Sequence, residues 1–179
     1  MSAKRLAVNS MLSAACAVLG YVSIDMGNIK ITFESLPILL SALLLGPVDA
    51  LAVGGVGTAI YQFFRYGVTI TTPLWMLPYM FCGLLAGAYA KKKQFRLTSW
   101  QTMGVVAVCE LLVTILNTGV IYTDSRIFGY YSAAYVFGSL ATRLVICAAR
   151  AAAFGILLPI VIDSLSKSKI LARQEGVVQ

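Results

Sequence analysis

Two short stripes of polar residues near the C-terminal end carry the most chemical information in this sequence. Glu110, Thr114, Asn117 and Thr118 are spaced i, i+4, i+7 and i+8, which places them on one face of a helix. Ser139, Arg143, Cys147 and Arg150 share a face in the same way. Both stripes lie inside long apolar runs. An ionisable group there is costly unless it meets a partner or lines a cavity. If the two helices run antiparallel, a rise of ~1.5 Å per residue sets their depths. Asn117 and Arg143 then lie roughly 8–15 Å below the outer surface, and Glu110 and Arg150 roughly 18–25 Å. The deeper residues read as a neutralising pair. The shallower ones read as ligand contacts, because a guanidinium can hold a carboxylate through two parallel bonds and an amide can match a donor–acceptor edge. The competing role for Arg143 is snorkelling to the surface or bonding to loop carbonyls.

Other chemistries are poorly supplied. The chain has no histidine. Its four cysteines, Cys16, Cys82, Cys109 and Cys147, sit in apolar runs without CxxC spacing. They read as buried thiols, neither a disulfide frame nor a zinc site, so no metal or cofactor is expected. No GxxxxGK[ST] loop is present to cradle ATP phosphates, and no nucleophile has a base close in sequence, so no catalytic residues are assigned. Gly54-Gly55-Val56-Gly57 lacks the strand context of a nucleotide loop. Spaced as Ala50, Gly54 and Thr58, and joined by Gly83 and Gly87, it reads as close helix packing.

The elements that must position these residues follow from composition. Of the 179 residues, 59% are hydrophobic and 12% charged. Soluble domains run near 45–50% and ~25%, so lipid is the expected solvent. The apolar runs are continuous, without the alternation of a membrane barrel. The expected fold is therefore an all-α integral membrane protein, one domain over residues 1–179. Six transmembrane helices are predicted at about 6–23, 35–45, 48–64, 74–90, 100–122 and 133–162. The sixth exceeds one bilayer thickness and is expected to tilt or break. The first run resembles a signal peptide, with Lys4 and Arg5 before it and small residues at Ser13-Ala14-Ala15. Five further spans favour a retained helix. The net charge of +7 would point to nucleic acid in a soluble protein, yet here it gathers at helix ends and in one loop. With both termini cytoplasmic, nine Lys and Arg fall inside and three outside (Lys30, Arg65 and Arg126), an N-in/C-in arrangement.

The outer segments bring aromatics, among them Phe33, Trp75, Tyr79 and Tyr130. Each could anchor at the interface; together they suit a lid that stacks on a flat ligand. Lys30 and Arg126 could steer an anion towards it.

Residues 31–57, ITFESLPILLSALLLGPVDALAVGGVG, resemble the substrate-binding S components of energy-coupling factor (ECF) vitamin transporters. The shared pattern is a polar loop, Leu-Pro, a short apolar helix, Gly-Pro and a small-residue helix. Leu116-Asn117-Thr118, and the spacing from Arg143 to Pro159-Ile160, resemble the folate-type branch. The third loop, RYGVTITTPLWMLPY, departs from that branch's glycine- and aromatic-rich loop. The resemblance implies a six-helix, high-affinity vitamin-binding subunit of an ABC importer in the bacterial plasma membrane. Its partners would be a transmembrane coupling subunit and two ATPases. It places Lys30, Phe33, Trp75, Tyr79, Asn117, Arg126, Tyr130 and Arg143 at the ligand. Ser10 and Ala14, with Ser13 and Ala17 beside them, would face the coupling subunit. Folate is the first candidate; cobalamin, a queuosine precursor, pantothenate or a pyrimidine vitamin also fit the family. The competing reading is a self-sufficient small channel or secondary transporter, which would need a through-path or inverted repeats.

Overall fold

The structure, a computed structural model, describes residues 3–26 and 29–167; the side chains of residues 25–30 and 166–167 lie outside the description. Seven helices are described: α1 (Ala3–Tyr21), α2 (Ser35–Leu44), α3 (Pro47–Tyr66), α4 (Thr72–Lys92), α5 (Ser99–Ile127), α6 (Ala133–Phe137) and α7 (Leu140–Lys167). The polar tail expected after Asp163 is helical up to Lys167, and residues 168–179 lie outside the described part.

Local chemistry sets the boundaries. Gly46, at φ +105°, makes the turn that only glycine enters freely, and Pro47 then opens α3 with its preset φ. Thr98 and Gln101 form a reciprocal capping box at the start of α5. At the far end of α5, Gly129 takes φ +76° and the Tyr130 N–H reaches back to the Ser125 carbonyl at 3.1 Å, a Schellman closure. That closure comes later than residue 122, so Asp124 and Arg126 stand on the helix and not in the expected loop. The sixth predicted helix is broken. Ser132 caps α6 by accepting from the Tyr135 N–H at 3.0 Å, and the chain restarts at α7 after Gly138 and Ser139.

One departure from an all-helical chain occurs among the described residues. β1 (Ile24–Met26) and β2 (Ile29–Ile31) pair antiparallel, with Asp25 opposite Lys30. The alternation Ile-Asp-Met and Ile-Lys-Ile around Gly-Asn is a hairpin signal, concealed by its brevity.

α2 is apolar on every side and is correspondingly the centre of the fold. Ile38, Leu39 and Ala42 are wholly buried, packed with Val53, Cys82, Val106 and Leu158 of neighbouring helices. At ten residues it is ~15 Å long, half a hydrocarbon thickness. Among the described residues, three helical segments are long and apolar enough to cross a membrane, by length and composition: Thr72–Lys92, Ser99–Ile127 and Ala133–Leu165. Large apolar side chains that would be costly in water stay exposed along the outside, including Phe63, Phe64, Leu85, Val108, Ile115 and Ile160.

Small residues let the backbones touch. A Cβ at Gly83 would stand 2.8 Å from the Ala50 carbonyl oxygen, and one at Gly87 2.5 Å from the Cα of Pro47. Gly57 likewise admits Cys16 of α1. The expected glycine packing is therefore the seam between α3 and both its neighbours. At the same end, Arg5 pairs with Asp49 and donates to the Leu45 carbonyl at 2.9 Å, while Asn9 donates to Asp49 at 2.6 Å. Asp49 is buried, and its hydrogen bond is the chief reason the Arg5 pKa lies above its ordinary value.

Candidate functional site

Glu110 and Arg150 meet. Arg150 Nη2 lies 2.8 Å from Glu110 Oε2, with Glu110 fully buried. Ser35, at the start of α2, donates to Glu110 Oε1 at 2.6 Å and accepts from Arg150 Nη2 at 2.7 Å. Three helices are thereby tied at one level. Asn117 and Arg143 each stand seven residues from this pair on antiparallel helices, so both lie about 10 Å further along the axes. That common level was expected from spacing alone.

Above the triad is a cavity of about 440 Å³, within the range of small-molecule sites. Its α5 and α7 wall is made by Thr114, Asn117, Thr118, Arg143, Cys147 and Arg150, so most of the two polar stripes face one space. The opposite wall comes from Thr32 and Glu34 before α2, Tyr61 and Gln62 of α3, and Trp75 and Tyr79 of α4. Tyr66 and Tyr130, both half-exposed, stand at the loop end. The Tyr79 hydroxyl is the junction of the inner part. It lies 3.5 Å from Thr32 Oγ1, accepts from Asn117 Nδ2 at 3.5 Å, and hydrogen-bonds Glu34. At the loop end, Tyr130 donates to Asp124 and stacks edge-on against Tyr135. Burial first, and the Asp124 carboxylate second, push the Tyr130 pKa above its ordinary value, so the phenol stays protonated.

Of the residues singled out from the sequence, Trp75, Tyr79, Asn117, Tyr130 and Arg143 come together on this cavity. Phe33 does not line it. It packs edge-to-face on Phe154 at 6.3 Å, beside the core. Arg126 also lies off the cavity, its guanidinium 4.1 Å from the centre of the Tyr131 ring and 5.5 Å from that of Tyr122. The continuation of α5 to Ile127 sets Arg126 beside Tyr122 and Tyr131, where cation–π contact holds it. Lys30 belongs to β2, and its side chain lies outside the described part. On α1, Ser10 and Ala14 are exposed, whereas Ser13 and Ala17 are buried.

Glu34, Tyr61 and Gln62 were not anticipated as site residues. Glu34 had a readable signal: a carboxylate directly before a wholly apolar helix must be either capping or buried, and it is 2% exposed. Tyr61-Gln62 is the polar interruption of an apolar run, masked by its place near the helix end.

A helical bundle with an oily exterior around a polar, aromatic-lined cavity is the form of a membrane protein that binds a small molecule. The family model described as "ECF transporter, substrate-specific component" matches residues 4–168, and the chain belongs to that family. It is thus a multi-pass protein of the bacterial cell membrane and the vitamin-binding subunit of an ECF transporter. It works with a transmembrane coupling subunit and two ATPases. The fold is also that of solved S components. The S component for biotin from an ECF-type ABC transporter is similar at TM-score 0.70 and 18% identity, covering 93% of this chain and 95% of that one. FolT bound with folic acid is similar at TM-score 0.66 and 21% identity, covering 86% and 90%. The S component of a bacterial ECF transporter is similar at TM-score 0.66 and 21% identity, covering 90% and 97%. No curated protein matches the sequence.

Proposed function

We propose that this subunit captures its vitamin from the outer side in the cavity between α4, α5 and α7, with folate as the first candidate. In this reading the chain crosses the membrane six times with both termini cytoplasmic. The short α2 and the segment before it make the second passage. The carrying observation is that Asn117 and Arg143 line one cavity two turns above a neutralised ion pair. Arg143 offers a bidentate partner for a carboxylate. Trp75 and Tyr79 offer faces and edges to a flat ring. Tyr130, held by Asp124, borders the entrance, and Lys30 and Arg126 contribute positive charge outside it. A solved relative at 21% identity holds folic acid, which supports the choice of first ligand. On α1, the exposed Ser10 and Ala14 are the residues proposed to meet the coupling subunit, with the buried Ser13 and Ala17 supporting them from behind.

The test begins with the small molecule that co-purifies with the protein from rich medium, identified by mass spectrometry. Titration calorimetry of that compound against Arg143→Ala follows. The expected result is a loss of affinity well over about tenfold, the scale of one charge-assisted pair, in a protein that still folds. Unchanged affinity removes Arg143 from the site. A protein that retains no small molecule and binds no vitamin removes the capture reading itself.

A further inference from the structure

α4 begins at the cavity with Trp75 and ends, about 30 Å away, in a run of cations. Lys91, Lys92, Lys93 and Arg96 fall within six residues where the chain turns from α4 towards α5, and all four are exposed. Among the described residues no carboxylate pairs with any of them. Asp49, at the same end, is buried and already held by Arg5 and Asn9. Cations near the ends of spans are enough to orient a chain in a membrane. Orientation does not require that they be held in a fixed shape, and here they are.

The turn is closed on itself. The N–H groups of Lys93, Gln94, Phe95 and Arg96 donate to carbonyls of Tyr89, Ala90, Lys91 and Lys93 at 2.8–3.1 Å. Gln94 and Phe95 take φ +53° and +57°, the left-handed region that residues with a Cβ seldom enter. Two in succession are a strain that the surroundings must offset. The Phe95 ring covers Gly46, where a Cβ would lie 3.5 Å from it, and Leu97 packs against the core. Just beyond, in the first turn of α5, the Trp100 indole is 79% exposed. An open indole at a helix end belongs at the boundary between headgroups and acyl chains.

We propose that the α4–α5 turn is a binding site for an anionic phospholipid. Its phosphodiester sits on Lys91, Lys92, Lys93 and Arg96, and its acyl chains lie against Trp100. Arg96 offers a planar fork to phosphate oxygens and the lysines offer point charges. The indole is what selects a lipid over a free anion, since a soluble phosphate gains nothing from it. With both termini cytoplasmic the site faces the inner leaflet, whose anionic lipids attract basic segments next to a span. Vitamin capture plays no part in the argument.

The experiment reads Trp100 itself. Trp75→Phe leaves it as the sole tryptophan, since the chain has two. The full chain is reconstituted in phosphatidylcholine vesicles with a fixed minor fraction of phosphatidylglycerol. Bromine is carried on the acyl chains of the phosphatidylglycerol, or of an equal amount of the phosphatidylcholine. Brominated chains quench an indole that they touch, so the ratio of the two quenching strengths measures lipid preference at the turn. A preference for phosphatidylglycerol of about fivefold or more is expected at low salt, the factor that one cation supplies beside an anionic surface. It is expected to shrink as salt screens the charges, a series that needs no further variant to fold. Replacing all four cations by glutamine is expected to leave less than about twofold. Replacing the three lysines by arginine is expected to keep the preference. Lys4→Gln, which removes a cation at the same end but outside the turn, is expected to leave it unchanged. Thermal unfolding establishes that each variant is folded.

Equal quenching by the two lipids, or a preference that survives loss of the four cations, overturns the proposal. So does a Lys4→Gln variant that loses as much as the glutamine variant, because the preference would then come from the diffuse field of that end. Displacement of the lipid by soluble glycerophosphoglycerol also overturns it, by showing that a free anion suffices. Absence of lipid preference, with the glutamine variant failing to co-purify with the coupling subunit, would assign the turn to a protein surface instead.

Discussion

Replacing Glu110 by leucine removes one half of a charge pair whose other half has nowhere to go. Glu110 is fully buried and Arg150 only 11% exposed to solvent, and they stand 2.8 Å apart. Two unit charges about 4 Å apart at an effective dielectric constant near 20 attract by about 4 kcal/mol. Breaking a buried pair from one side leaves the other charge uncompensated, and such truncations cost about 3–5 kcal/mol. Glu110→Leu and Arg150→Leu are each expected to lose that much. The double variant carries no buried charge, and leucines of adequate volume often replace such pairs with little net cost. It is expected to lose less than about 2 kcal/mol, a coupling of several kcal/mol between the sites. Equilibrium unfolding in mixed micelles, titrated with dodecyl sulfate and followed by circular dichroism, measures all three. The control is Ser35→Ala, which withdraws both hydroxyl bonds but leaves the charges paired; it is expected to lose about 1–2 kcal/mol. If both single variants lost under 1 kcal/mol, or the double lost the sum of the singles, the pair would not be what holds the three helices at this level.

Three further outcomes follow from other contacts. Gly87→Leu drives a side chain into Pro47, where even a Cβ would lie 2.5 Å from its Cα; a loss of at least about 1–3 kcal/mol is expected by the same unfolding assay. Arg5→Ala leaves buried Asp49 with Asn9 as its remaining side-chain donor, and is expected to cost about 1–2 kcal/mol because Arg5 is 39% exposed. A reporter enzyme that works only in the cytoplasm, fused after Gln179, is expected to be active; activity of a periplasm-dependent reporter in its place would reverse the proposed topology.

The sequence was most legible where periodicity and cost acted together. Polar residues at helical spacing in apolar runs leave few arrangements, which is why Glu110 and Arg150 could be paired, and Asn117 and Arg143 placed on one level, from numbering alone. The glycine seam was legible for a similar reason, since small residues four apart serve one purpose on an apolar helix. What remained hidden was set by local features too short to stand out in the pattern. That the sixth run would tilt or break was expected from its length, but the place of the break, at Gly138 and Ser139, was not, because the hydropathy continues on both sides. The hairpin at β1 and β2 is too short for a periodicity signal to rise above the helices flanking it. Arg126 illustrates the sensitivity of site assignment to helix ends. One added turn of α5 was enough to exchange a place over the ligand for a stack on Tyr131.

The triad of Ser35, Glu110 and Arg150 also explains why a cavity can exist here without collapse. α3 meets α1 and α4 through close glycine contacts, whereas α5 and α7 pack chiefly on one another. α2 touches both groups, and its first residue supplies the hydroxyl between the two charges. Below that level, Val106, Cys109, Phe154 and Leu158 close the core with apolar atoms. Above it, the same two helices turn polar side chains to the cavity, where dry packing against each other would cost each its hydrogen-bonding capacity. The floor of the cavity is therefore the top of the core, and one ion pair divides them. A ligand seated on Arg150 touches the residue that holds the two halves of the bundle together. By linkage, a ligand that binds only the folded chain stabilises it by an amount that grows with the logarithm of its concentration over its dissociation constant.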